Sequence, residues 1–108
     1  MITVKYNSRC LKIEGHAGYG KYGEDIVCAA VSSLWHTWKR KMKKEAEKGK
    51  LSFSCQEFPG NACLAVTWVK NEYQIAFDEI MDTVQMGIRL LAADYPEYVS
   101  AEKFQGVD

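Results

Sequence analysis

The chain has 108 residues, the length of one domain with a single core, and 47% of them are apolar, three tryptophans included. That composition excludes a disordered chain, and no apolar run approaches the ~20 residues a membrane span needs. Formal net charge is zero but unevenly spread: residues 39–50 hold seven basic side chains against Glu45 and Glu47, and from residue 72 onward eight acids face only Arg89 and Lys103. A charge distribution of this kind can steer a charged partner. It is equally what the solvated C-terminal end of a helix looks like, where cations complement the dipole. The first residues, Met1-Ile2-Thr3-Val4-Lys5-Tyr6, lack a basic region followed by a long apolar block. No secretion signal is therefore read, and the cytoplasm is the expected compartment. The four cysteines, at 10, 28, 55 and 63, have no C-x-x-C spacing and are expected as free thiols rather than a zinc or redox motif.

Taken in chain order, residues 2–6 alternate Ile2, Val4 and Tyr6 with Thr3 and Lys5, the pattern of a half-buried strand. Asn7-Ser8-Arg9 is a turn by composition, and a second alternating strand runs over 10–15, giving a hairpin that ends just before His16. Residues 17–24 hold Gly18, Gly20 and Gly23 with two tyrosines, and read as a mobile loop. Asp25 is a good N-cap for a helix starting at Ile26. Its apolar stripe is Val27, Ala30, Val31, Leu34, Trp35, Trp38 and Met42, with Gly49 as the stop. The last two turns look too charged to be buried. A second hairpin is predicted from strands 51–57 and 62–69 around Pro59-Gly60-Asn61. Its second strand is apolar on both faces in places, as a central strand would be. A helix follows over about 73–94, lined by Phe77, Ile80, Met81, Val84, Ile88 and Leu91, with Gly87 inviting close packing. Tyr95-Pro96 ends it, and residues 98–104 form a short last strand. The prediction is a single α+β domain over 1–108: two helices on a mostly antiparallel sheet, a two-layer sandwich, in the order β-β-α-β-β-α-β.

Chemistry concentrates between residues 15 and 32. With Asp25 as the cap, Cys28 is the third helical residue, where backbone N–H groups lack intrahelical acceptors. Such groups can favour a thiolate and hold an oxyanion. The plainer alternative is a small buried residue beside Ala29 and Ala30. His16 is the sensible base, or else an ordinary histidine in a turn. His36 lies eight residues beyond Cys28 on the same helix, ~12 Å of rise, too far for proton transfer to the same sulfur. Asp25 caps the helix and is also a candidate to orient His16 in a triad-like role; Ser32, one turn after Cys28, and Ala29 beside the thiol are supporting candidates. Gly18, Tyr19, Gly20, Tyr22 and Gly23 form a candidate substrate loop, although the tyrosines would equally cover the edge of the core.

The run Gly15-His16-Ala17, continuing through Gly23-Glu24-Asp25-Ile26-Val27-Cys28-Ala29-Ala30-Val31-Ser32, resembles the signature of the ribosomal-processing cysteine protease Prp family. The length and element order resemble that family over the whole chain, the later half in pattern more than in motif. The resemblance implies a small cytoplasmic endopeptidase, acting without cofactor or metal. Its partner would be the N-terminal extension of large-subunit ribosomal protein twenty-seven, which it removes, and it would form a homodimer. The family's histidine and nucleophile correspond to His16 and Cys28. The resemblance leaves direct nucleic-acid binding and membrane attachment unexpected. Two other readings compete: a non-catalytic ribosome- or RNA-associated module using the block at 39–50, and a thiol redox or acyl-transfer enzyme using Cys28. The first would show steeply salt-dependent binding; the second wants a resolving cysteine, and none stands at a recognised spacing.

Overall fold

A computed structural model describes residues 1–21 and 24–104. The elements are β1 (Ile2–Tyr6), β2 (Cys10–Gly15), α1 (Ile26–Glu47), β3 (Leu51–Phe58), β4 (Asn61–Val69), a single 3-10 turn (Asn71–Tyr73), α2 (Gln74–Asp94) and β5 (Val99–Lys103). Order and type agree with the sequence-based expectation throughout. The five strands form one sheet in the order β3-β4-β2-β1-β5. Both hairpins are antiparallel, as is the β2–β4 pairing that joins them, and β5 adds to β1 in parallel. β4 is thus an interior strand, in keeping with its apolar residues on both faces.

The pairing register explains the burial. Val4 faces Ile13, Tyr6 faces Leu11, and Leu11 faces Leu64 across three strands, so one sheet face is continuous and apolar. Both helices cover that face. Val27, Val31, Trp35, Trp38 and Met42 of α1 and Phe77, Met81 and Ile88 of α2 are buried against it. Each fully buried large side chain contributes about 1.5–3 kcal/mol. The helices also touch one another at Leu34 and Gly87: a Cβ on Gly87 would stand 3.2 Å from both Leu34 methyls. That close approach is what a glycine on an apolar helix stripe invites.

The end of α1 departs from expectation. Its last turns are not wholly solvated, because Glu45 is 1% exposed. Three ammonium groups enclose the carboxylate: Lys41 (3.1 Å) and Lys48 (3.6 Å) at Oε1, and Lys50 (3.4 Å) at Oε2. Lys41 makes the closest of these contacts, and Lys48 and Lys50 act through their charge. Burial works to raise the Glu45 pKa, but the close contact with Lys41 and the charges of Lys48 and Lys50 outweigh it and carry the group from 4.5 down to about 2. A carboxyl depressed in the folded state stabilises the fold above its unfolded pKa and loses that contribution as pH falls. The urea midpoint should therefore decline between about pH 4.5 and about pH 2. Glu45→Gln should flatten that stretch of the curve, and an unaltered profile would refute the assignment. With Lys39 also paired to Glu57 at 3.0 Å, four of the seven cations in the 39–50 block serve internal ion pairs. No described helix is long and apolar enough to cross a membrane.

Candidate active site

Strand β2 ends at Gly15, whose φ of +89° turns the chain out of the sheet toward α1. An alanine there would place its Cβ 2.4 Å from the Met1 carbonyl oxygen, so only glycine fits. The turn delivers His16 and Ala17 to the start of α1. Asp25 is the N-cap, as the sequence predicts. Its Oδ1 accepts from the N–H groups of Val27 (3.0 Å) and Cys28 (2.9 Å), and its Oδ2 from those of Tyr19 (2.9 Å) and Gly20 (3.3 Å). One carboxylate therefore clasps the glycine segment onto the helix start. The Cys28 N–H above all, with those of Gly20 and Tyr19, holds the Asp25 carboxyl below the usual range against opposing desolvation.

This cap changes the expected supply of oxyanion donors. The N–H groups of Val27 and Cys28 are engaged by Asp25 Oδ1, and that of Ala29 by the Asp25 carbonyl at 3.0 Å. The backbone donor that meets the sulfur comes instead from the preceding loop: Ala17 N–H donates to Cys28 Sγ at 3.2 Å. Ala17 is itself buried, which fixes that amide. Sequence reasoning passed over it because an alanine carries no chemical signal and its function here is entirely in the backbone.

Cys28 and His16 line two adjoining cavities. One, about 480 Å³, runs between α1 and the β3–β4 turn, past Val31, Trp35, His36, Glu57 and Phe58. The other, about 620 Å³, lies under the glycine segment and is lined by Gly18, Gly20, Asp25, Ala29, Ser32 and Pro59. His16, Cys28, Ser32 and Pro59 border both, so the sulfur sits where two arms of one groove meet. Among the described residues no hydrogen bond joins the imidazole to the sulfur. Tyr19 packs edge-on against Tyr95 (5.8 Å) and Tyr98 (5.0 Å), which fastens the glycine segment to the far end of α2. Tyr22 and Gly23 lie outside the described residues. His36 borders the first cavity. Beside it Glu57 accepts from Trp35 Nε1 at 2.5 Å and pairs with Lys39, and that indole bond foremost lowers its pKa. Trp35, Glu57 and Phe58 were not read as site residues. Period-two alternation told which side of β3 is apolar, but not that its end reaches the helix start.

All four cysteines are free. The other three sit on strands. Burial, and then the Cys63 neighbour 3.9 Å away, push the Cys10 thiol up to about 12, and burial also raises Cys55. Neither is suited to act as a nucleophile.

The family model for cysteine protease Prp matches residues 1–100. The chain belongs to the cysteine protease Prp family. It is a cysteine protease. Among solved structures, a ribosomal processing protease Prp from S. aureus bound to a covalently linked product peptide has 20% identity and a TM-score of 0.76, covering 96% of this chain and 100% of that one. The same S. aureus protease with a substrate peptide has 16% identity and a TM-score of 0.67, with 95% and 97% covered. SMU.848 from Streptococcus mutans has 28% identity and a TM-score of 0.74, with 98% and 96% covered. No curated protein matches. The Prp fold thus extends over essentially the whole chain.

The clasp predicts a separable effect for this Prp member. Asp25→Ala frees four backbone N–H groups at once, two on the helix and two on the glycine segment. Peptide cleavage should fall at least tenfold, since about 1 Å of misplacement can cost far more. The melting temperature should drop by much less than a core truncation would cause. Asp25→Asn, which keeps acceptor oxygen on one side only, should lie between. Full activity in Asp25→Ala would show that the cap does not position the thiol.

Proposed function

We propose that this Prp-family protease removes the N-terminal extension of large-subunit ribosomal protein twenty-seven during bacterial ribosome assembly, with Cys28 as nucleophile and His16 as base. The observation that carries the reading is the groove junction: a thiol at a helix start, contacted by a backbone N–H and sharing both cavities with an imidazole. His16 takes the Cys28 proton and the thiolate attacks the scissile carbonyl carbon. Collapse of the tetrahedral adduct breaks the C–N bond, and His16 returns the proton to the leaving amine. Water then adds to the thioester and releases the acid and the free thiol. Catalytic contacts of this kind often tighten on substrate binding, so the lack of a direct bond among the described residues is compatible with the role. The covalent product peptide on the S. aureus relative supports an acyl-enzyme route here.

The two cavity arms give an extended peptide a path across the sulfur. Ser32, Ala29 and Asp25 stand as supporting residues along it, with Gly18 and Gly20 on the loop side. We carry over the homodimer and the cytoplasmic location from the same family reading; α2 leaves Ile75, Met86 and Leu90 exposed for a second copy. Incubation with the full-length ribosomal precursor, read by mass spectrometry of the new N-terminus, tests reaction and substrate together. A single new N-terminus is expected. An intact precursor after prolonged incubation would overturn the substrate assignment. Light scattering on the purified protein tests the dimer.

A further inference from the structure

We propose that Gly60, in the turn between β3 and β4, is the positioning residue for the His16 imidazole; the inference rests on the Cys28–His16 reading above. Gly60 has φ +74°, and a Cβ built on it would stand 3.1 Å from His16 Nε2, 3.7 Å from Cδ2 and 3.8 Å from Cε1. The imidazole edge therefore rests against the bare backbone of the turn. The turn is in turn tied to the residue before the histidine, because Gly15 N–H donates to the Gly60 carbonyl at 2.8 Å. On its other side Gly15 is hemmed by the Met1 carbonyl, so the His16 backbone is fixed from two directions. The Asp25 carboxylate, a helix cap with a candidate second role as third member, is occupied by four backbone N–H groups. What sets the ring's place is packing against a glycine. Any L side chain at 60 would push the imidazole off this wall by a few tenths of an ångström or more, because its Cβ would stand closer to Nε2 than ordinary contact allows.

The chain supplies its own control. Gly49 has φ +73°, the same left-handed conformation, with nothing within 4 Å of a would-be Cβ. Gly60→Ala and Gly49→Ala therefore carry equal backbone strain, and only the first meets His16. Both variants should lose stability in urea, Gly60→Ala at least as much as Gly49→Ala because of the added contact with His16. Only Gly60→Ala should move the His16 ring resonances in proton–carbon NMR spectra, which are simple because the chain has two histidines. Its kcat for peptide cleavage should fall about tenfold or more, with a shifted pH profile and KM little changed. Should Gly60→Ala not fold, Gly60→Asn is read in the same way against Gly49→Asn, since asparagine tolerates positive φ while still presenting a Cβ. Unmoved His16 resonances in the folded Gly60 variant, or equal shifts in the Gly49 variant, would overturn the proposal. The ring spectra need no substrate, so this failure is distinct from failure of the protease reading, which Cys28 variants report.

Discussion

Replacing Cys28 by serine should reduce peptide cleavage by about a thousandfold or more while the melting curve stays close to that of the parent. The oxygen keeps an acceptor for the Ala17 N–H that now meets sulfur at 3.2 Å, so the local backbone has no reason to move. What disappears is the thiolate, for an unactivated hydroxyl holds its proton far more firmly at neutral pH. Cys28→Ala should be as inactive, with an added cost of about 1–2 kcal/mol because the Ala17 amide loses its partner. The comparison separates chemistry from structure: the two variants differ in stability and agree in activity. Cleavage by a clean Cys28→Ala preparation would remove the nucleophile from the account. Cys10, Cys55 and Cys63 offer no substitute, since burial disfavours the thiolate at Cys10 and Cys55 and all three sit on strands.

Trp38→Ala should produce the largest loss of stability of any change discussed. Trp38 is 0% exposed at the middle of α1, against the sheet and next to Trp35 at a ring separation of 6.0 Å. Truncating a buried tryptophan costs about 3–5 kcal/mol. A domain of this size has a total stability of about 5–15 kcal/mol, so the variant should melt about 15–30 °C lower or fail to fold at 37 °C. Trp38→Phe should be far milder. It leaves a smaller void, and it removes an indole N–H that is buried without a partner among the described residues. Thermal denaturation followed by circular dichroism reads both. A Trp38→Ala variant melting within a few degrees of the parent would mean that α1 is held to the sheet mainly by other contacts.

The elements were legible because each signal in them is local. Alternation over 2–6 and 10–15, the Pro59-Gly60-Asn61 turn, the Asp25 cap and the apolar stripes of the two helices are written in neighbouring residues. The Glu45 carboxylate was misread for the opposite reason. Its pairing takes in Lys50, which reaches it from the residue before β3, together with Lys41 on its own helix and Lys48 at that helix's C-cap. A run of charges in sequence carries no record of which of them another element will cover.

The candidate site divides along the same line. Cys28, His16 and Asp25 are named by residue type and spacing, and the family signature adds their order. That a cap carboxylate binds two segments through four backbone amides, that an alanine N–H faces the sulfur, and that a glycine in a distant hairpin backs the imidazole are facts of the folded chain. The sequence by itself determined the strand and helix periods and the helix start, because these follow from short-range sterics and hydrogen bonding, and residue type and spacing marked the candidate reactive side chains. The order of the strands, the meeting of the β3–β4 turn with the end of β2, and the use of bare backbone as wall and donor were decided only in the tertiary structure. Backbone groups are the same at every residue, and only long-range packing selects which of them face the groove.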